Sequence, residues 1–322
     1  MEFTIKPQEQ VGLSMVGVGS AGQVYEVHED VVLKTGRIYE PPTTTTSPLD
    51  MWFYASESIC HFNILQNEKR IYRLLERHPH PNIAAPIDIH PEGIYLRRYS
   101  LRPEIRTATQ TDRILWYRDI LRGLIHLHNL GIAHSDLRMD NVLSDTQGRA
   151  IICDFSASCP FGQPNLVSSS PGHPIPINGP AKILSDATDR FALASLMFRL
   201  ETGCDGRLSV DNDNHLLLPE ITKGHKKIGL IIKKAWIGNY SSTSQMLDDI
   251  DILENGSNPD APRDLTSKDM LRTFVRQWRD ERIARYGCVL FALPTEQQMR
   301  QLADQHKLEM IIPQYGERIL QE

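Results

Sequence analysis

Polar and apolar positions change period several times along the chain, and each change marks an element. Between Val11 and Leu33 they alternate: VGLSMVGVGS enters a glycine-containing turn, QVYEVH follows, and a short polar step precedes VVLK. Alternation of this kind belongs to half-buried strands, so three short antiparallel strands are expected. The tract Pro41-Pro42-Thr43-Thr44-Thr45-Thr46-Ser47-Pro48 is too rich in threonine and proline to pack a core and reads as an exposed insert. From Ser56 to Leu75, Ile64, Leu65, Ile71, Leu74 and Leu75 recur at helical spacing, and Pro79 and Pro81 end that helix. Strand-like IAAPIDIH and GIYLRRY come next.

Thr111 reads as the N-cap of a long helix reaching about Asn129, with Ile114, Leu115, Ile120, Leu121, Leu124 and Leu127 on its apolar face and Gly131 at its end. NVLSD and AIICDF are two short strands separated by Gln147-Gly148. Residues Ser156 to Gly179 are rich in Pro, Gly and Ser and lack periodicity, a long loop of the kind that usually carries function. RFALASLMFRL is apolar nearly all round and predicts a buried helix. Two more helices are expected between Ile228 and about Leu253, and Gly256-Ser257-Asn258-Pro259 reads as a linker. Beyond it lie a helix near Ser267–Arg285, a strand-like CVLFAL, and a helix opening with a Thr295/Gln298 capping box.

Length and charge narrow the class. At 322 residues the chain suits one large bilobal unit or two domains. A net charge of −5 supplies no global basic field, so binding to nucleic acid through phosphate attraction is not expected. Cys60, Cys153, Cys159, Cys204 and Cys288 are odd in number and form no CxxC pair, which fits reduced thiols and neither a disulfide frame nor a zinc site. MEFTIKPQEQ lacks the basic start and apolar run of a signal peptide, and no stretch is long enough to span a bilayer. A cytosolic or nuclear protein is the expectation.

The chemistry gathers in four places. Gly17-Val18-Gly19-Ser20-Ala21-Gly22 lies between two strands, where glycines let backbone amides approach phosphate oxygens; alone it also fits a flexible hairpin turn. Because a strand follows it, a dinucleotide fold is disfavoured. Lys34 ends VVLK, and Glu68 in NEKRIYRLL could pair with it, although in isolation a lysine or a helical glutamate at such a place is more often solvated. The third place is His134-Ser135-Asp136-Leu137-Arg138-Met139-Asp140-Asn141, on a loop between a helix and a strand. The fourth is Asp154, at the end of the next strand. A carboxylate to accept a hydroxyl proton, with further oxygen donors for magnesium, is what phosphoryl transfer requires.

With these residues in order, and with His80-Pro81-Asn82 between them, the chain from about Val11 to Leu253 resembles the eukaryotic-type protein kinases. The resemblance implies an α+β bilobal fold, with a small antiparallel β-rich N-lobe (about 11–98), a larger mainly helical C-lobe (about 99–255) and ATP in the cleft between them. Residues 256–322 lie outside it, an extension of unassigned role that packs on the C-lobe or recruits a partner. It further implies that Lys34 holds the α- and β-phosphates and that Glu68, in preference to Glu57, holds Lys34. Asp136 would be the base, Arg138 would neutralise γ-phosphate charge, and Asn141 and Asp154 would bind Mg2+. Val16, Gly17, Gly19, Gly22, Val24 and Val32 would surround the nucleotide, Tyr99 would lie in the hinge beside the adenine, and Asp189 would hold the catalytic-loop backbone.

The chain departs from the family pattern at several points. Ser135 replaces the arginine before the catalytic Asp, and Ser156 replaces the glycine of Asp-Phe-Gly. Val32 takes the usual alanine place, and Arg97 or Arg98 falls where an apolar gatekeeper is common. Pro180-Ala181-Lys182 stands for Ala-Pro-Glu, and no Arg or Lys occurs from Ala235 to Pro262 to pair with a glutamate there, so other contacts must anchor the segment. These changes touch regulation and docking and spare the phosphoryl-transfer set. The expected activity is an ATP- and Mg2+-dependent kinase acting on a hydroxyl of a protein substrate, most readily Ser or Thr. A pseudokinase scaffold and a small-molecule kinase are the alternatives.

Overall fold

The alternating segment near the N-terminus does form three antiparallel strands. The computed structural model describes residues 5–43, 46–100, 108–166, 175–206, 208–211, 213, 216–221, 225–253 and 267–310. Strands β1 (Met15–Val18), β2 (Gln23–His28) and β3 (Val31–Thr35) lead to helix α1 (Pro48–Arg77), then β4 (Pro86–His90) and β5 (Gly93–Arg97). All five strands form one antiparallel sheet in the order β1-β2-β3-β5-β4. There follow α2 (Gln110–Asn129), β6 (Ile132–Ala133), β7 (Val142–Ser144), β8 (Ala150–Ile152), β9 (Cys159–Pro160) and α3 (Asp186–Thr202). The order ends with β10 (Ser209–Val210), β11 (Leu216–Leu217), α4 (Lys226–Trp236), α5 (Thr243–Asp251), α6 (Lys268–Tyr286) and α7 (Glu296–His306).

Two units result. The described residues up to 78, 85–98 and 267–310 form the first, with the five-stranded sheet, α1, α6 and α7. Residues 79–84 and the described residues from 99 to 253 form the second, which is mainly helical. This is the bilobal architecture expected from the sequence. Among the described residues no helix is long and apolar enough to cross a membrane.

The first unit holds the main surprise. Val31 and Leu33 project from one face of the sheet and, with Ile87 and Tyr95, pack against Leu271 and Val275 of α6 and against Val289 and Leu290. Met299 and Ala303 of α7 pack on Ile59 and Phe62 of α1. The segment after the linker therefore packs on the sheet unit and completes that unit's core. Ion pairs frame the contact: Arg272 Nη2 and Lys268 Nζ lie 2.7 and 2.9 Å from Glu76 Oε1, and Arg279 Nη1 lies 2.6 Å from Asp88 Oδ2. CVLFAL is not a strand. Side chains take up part of its backbone, with Gln10 pairing to both the N–H and C=O of Phe291 and Arg282 Nε donating to the carbonyl of Val289. Val289 and Leu290 are buried there without a ladder partner.

Two helix starts also move. α1 begins at Pro48, eight residues before Ser56, because Ser47 caps it by accepting from the Asp50 amide and proline suits the first turn. Leu49, Trp52 and Phe53 in that early stretch are exposed, so the core-facing periodicity began late. The cap of α2 is Thr109, not Thr111. Thr109 forms a reciprocal capping box with Asp112.

α1 also buries a charge. Lys69 is 2 % exposed and its Nζ donates to the Pro91 carbonyl at 2.8 Å. Burial, assisted by Arg73, lowers its pKa from 10.5 to about 8. Below about pH 8 both folded and unfolded chains carry the proton, and the folded state bears the full cost of the buried charge. Between about pH 8 and 10.5 the folded lysine loses its proton first, so stability rises across that window. Lys69→Met should therefore be more stable than the wild type by about 1–3 kcal/mol at pH 7, and that advantage should shrink toward pH 10. Urea unfolding at the two pH values checks it; an advantage that does not change with pH would count against the buried-charge account.

In the second unit Tyr117, Leu121 and Leu124 of α2, Leu193 and Met197 of α3, and Ile228 and Ile232 of α4 are fully buried. α3, apolar nearly all round as its sequence implied, starts in a Ser185/Thr188 capping box and ends at Gly203 in a left-handed conformation. Buried Arg190 ties it to the turn before α5, donating to Tyr240 O at 3.2 Å and Thr243 Oγ1 at 3.1 Å.

Candidate active site

In the sheet unit the glycine turn joins β1 to β2. Gly22 is sterically required: a Cβ there would lie 2.1 Å from the Thr35 carbonyl oxygen. Gly19 by contrast meets nothing within 4 Å, and a Cβ on Gly17 would only touch Val24. The turn is pinned from outside, because Arg37 Nη2 donates to the Gly19 carbonyl at 2.9 Å and His61 Nε2 of α1 to that of Ser20 at 3.0 Å. Sequence reasoning missed both residues; a histidine at a core-facing helix position was the available signal.

β2 and β3 pair Val24 with Lys34, and strand periodicity sets Val32 on the same face as Lys34, away from the α6 core. Val24 and Val32 are half-buried there and Val16 is exposed. Lys34 Nζ lies 2.7 Å from Glu68 Oε1, with side-chain exposures of 9 % and 1 %. Glu57 instead lies over His61, 3.8 Å from Nδ1. A buried pair of this kind is costly to break, since removing one partner strands the other charge. Arg98 is exposed and pairs with Glu26 at 2.9 Å, while Arg97 is buried within β5.

In the helical unit a separate cluster assembles. The fully buried Asp189 accepts from the amides of His134 and Ser135 at 2.7 and 3.0 Å and pairs with His128 Nε2 at 2.9 Å. Burial pushes the Asp189 carboxyl up, but these contacts with His128, His134 and the Ser135 amide outweigh it and hold it below its ordinary range. Asp136 follows at once. Asn141 Nδ2 donates to its carboxylate Oδ2 at 2.9 Å and its carbonyl at 2.8 Å, and Arg138 Nε stands 3.4 Å from Oδ2. Asp154 follows the β7–β8 hairpin: the amide of Cys153, the residue before it, donates to the Asn141 carbonyl at 3.0 Å. Asp154 has a left-handed backbone, φ 62°, and its Oδ1 accepts from the Ser156 amide at 3.2 Å. Asn82 braces the hairpin by donating to Ala150 O at 3.0 Å. Tyr99 is half-buried at the start of this unit.

A cavity of about 460 Å³ opens beside Asp136. Its walls include Leu137 and Met139 of the loop that carries Asp136, Ile177 of the following segment, and Leu196 and Arg199 of α3. The segment replacing Ala-Pro-Glu is held by hydrogen bonds: the Asn165 amide and side chain reach Lys182 O and Ala181 O, both at 2.9 Å, and Leu184 N reaches Gln163 O at 2.9 Å. Ser168, Ser169 and Ser170 lie outside the described residues.

Residues 12–205 match the family model described as "Protein kinase domain". The chain belongs to the protein kinase domain family. Among its relatives, the kinase domain is similar to the serine/threonine-protein kinase GIN4 of Saccharomyces cerevisiae, 26% identical over 247 residues, which cover 67% of this chain and 20% of that protein. Over 103 residues it is 39% identical to the nitrogen permease reactivator protein of the same yeast (28% of this chain, 13% of that protein). Over 127 residues it is 28% identical to human ribosomal protein S6 kinase alpha-4 (34% and 14%). The matched part thus spans a fifth or less of these relatives' own length.

Asn141 and Asp154 each carry a side-chain oxygen of the hard kind that a divalent cation such as Mg2+ takes.

Proposed function

We propose that this kinase domain is catalytically active and transfers the γ-phosphate of ATP, with Mg2+, to a Ser or Thr hydroxyl of a protein substrate. The observation that carries the reading is the buried Lys34–Glu68 pair at 2.7 Å in a chain that also keeps Asp136, Asn141 and Asp154. A scaffold without turnover would have no need to hold all five groups. The Ser/Thr preference rests on the names of relatives such as GIN4.

In this reading Lys34, fixed by Glu68, orients the α- and β-phosphates, and the Gly17–Gly22 turn offers backbone amides to phosphate oxygens. Asn141 and Asp154 would hold Mg2+, which when bound would neutralise charge on the phosphates. Asp136 accepts the proton of the acceptor hydroxyl through its carboxylate, which Asn141 keeps oriented. Arg138, half-exposed beside it, meets charge on the transferred group. The cavity next to Asp136 receives the residues flanking that hydroxyl.

The test combines turnover with metal binding. Labelled ATP should phosphorylate members of a Ser/Thr peptide array and not small hydroxyl compounds. Asp154→Asn should lower Mg2+-dependent ATP affinity by at least about tenfold while leaving metal-free nucleotide binding unchanged. Equal affinity of both proteins across a Mg2+ titration would remove Asp154 from this role, and nucleotide binding with no turnover on any acceptor would favour the scaffold.

A further inference from the structure

The backbone just before Asp136 is held by a residue that belongs to no recognisable motif. Asn178 is 1 % exposed and lies one residue beyond the cavity-lining Ile175, Pro176 and Ile177. Its Nδ2 donates to the carbonyl oxygen of Ser135 at 2.6 Å. Asn178 Oδ1 is buried without a hydrogen-bond partner, so this one donated bond is all that the described structure gives the side-chain amide. A buried amide left half-satisfied is unfavourable unless its remaining bond has a use.

The acceptor of that bond is the telling part. Ser135 has φ 68°, a left-handed backbone that a side chain with a Cβ rarely adopts. Its amide is held by Asp189 Oδ1 at 3.0 Å, and the carbonyl of the preceding His134 accepts from Ser158 Oγ at 3.0 Å. With Asn178 on the Ser135 carbonyl, Ser135, the residue that leads into Asp136, is gripped at both ends, at its N–H by Asp189 of α3 and at its C=O by the cavity segment. Gly179, at φ 78° and packed against Phe191 where a Cβ would sit 2.9 Å away, fixes the position from which Asn178 reaches.

We propose that Asn178 is a positioning residue for phosphoryl transfer: by holding the Ser135 carbonyl it fixes the orientation of the Asp136 carboxylate relative to the acceptor cavity. The proposal rests on the kinase reading above. It links the wall that receives the acceptor to the base that deprotonates it, through uncharged hydrogen bonds, and Ser135 contributes no charge to that link.

The test uses the full chain. Asn178→Leu, close in shape and unable to donate, should lower kcat at least tenfold while KM for ATP and thermal midpoint stay near wild type. Asn178→Asp regains a donor only when its carboxyl is protonated, so its kcat relative to wild type should rise as pH is lowered, a response that a packing role would not produce. If Asn178→Leu does not fold, Asn178→Ser, smaller and too short to reach the carbonyl, should show the same selective loss of kcat. A kcat within twofold of wild type in the folded variant, or a parallel loss of kcat and ATP affinity, would overturn the proposal. Should the wild type itself prove inactive, the kinase reading fails separately, and amide exchange decides the clamp: at least tenfold faster exchange at Ser135 and Asp136 in the variant upholds it, and unchanged exchange refutes it.

Discussion

Replacing Asp136 by asparagine should lower phosphate transfer by at least about 10²-fold, or about 2.7 kcal/mol of transition-state stabilisation, and leave ATP binding intact. The substitution keeps shape and polarity. It removes only the capacity to take up a proton, because an amide oxygen is far too weak a base at neutral pH. Asp136 is two-thirds buried, and its Oδ2 already accepts from Asn141 and faces Arg138. An asparagine can turn its own oxygen to both donors, so the loop should hold its conformation. Lys34 and Glu68 of the first unit, proposed to orient the nucleotide, make their contact with each other and without Asp136. Steady-state rates on a phosphorylatable peptide, with calorimetric ATP affinity measured in parallel, separate the two effects. A variant that turns over at more than a tenth of the wild-type rate would remove Asp136 as the base.

What the sequence made legible was local. Short alternating strands, the all-round apolar α3 and the Thr295/Gln298 box each depend on neighbours a few residues away, and each forms. The ordered glycine turn, lysine and catalytic loop identified the family for the same reason. Preferring Glu68 over Glu57 rested on the residues around it, and in the fold it is Glu68 that reaches Lys34. What escaped was set by distant contacts. CVLFAL has the composition of a strand, but Gln10 takes both backbone groups of Phe291 and Arg282 the Val289 carbonyl, where a ladder would have paired them. Asn178 belongs to an Asn-Gly pair, which reads as a turn whether or not its side chain holds anything. The destination of the C-terminal helices was invisible for a different reason. An amphipathic helix records that it has a buried face and not which surface covers it.

That destination leads to the other large effect. Val275→Asp should destabilise the sheet unit by about 3–5 kcal/mol, the range for stranding a carboxylate in a packed apolar core. Val275 is fully buried among Val31, Leu33, Ile87 and Tyr95, so the new charge would face the side of β3 opposite Lys34 with no partner in that cluster. Domains commonly have only about 5–15 kcal/mol in total, so a loss of this size is a large share of the unit's stability and a fall in unfolding midpoint on the order of 10 °C. Met270→Asp on the same helix is the control. Met270 is 66 % exposed, and there a carboxylate should change stability by no more than about 0.5 kcal/mol. If α6 were a passenger beyond the kinase match at 12–205, the two variants would unfold alike. If it is part of the core, only Val275→Asp melts early, and it loses nucleotide affinity along with its fold, because β3 carries Lys34 on one face and the α6 contact on the other.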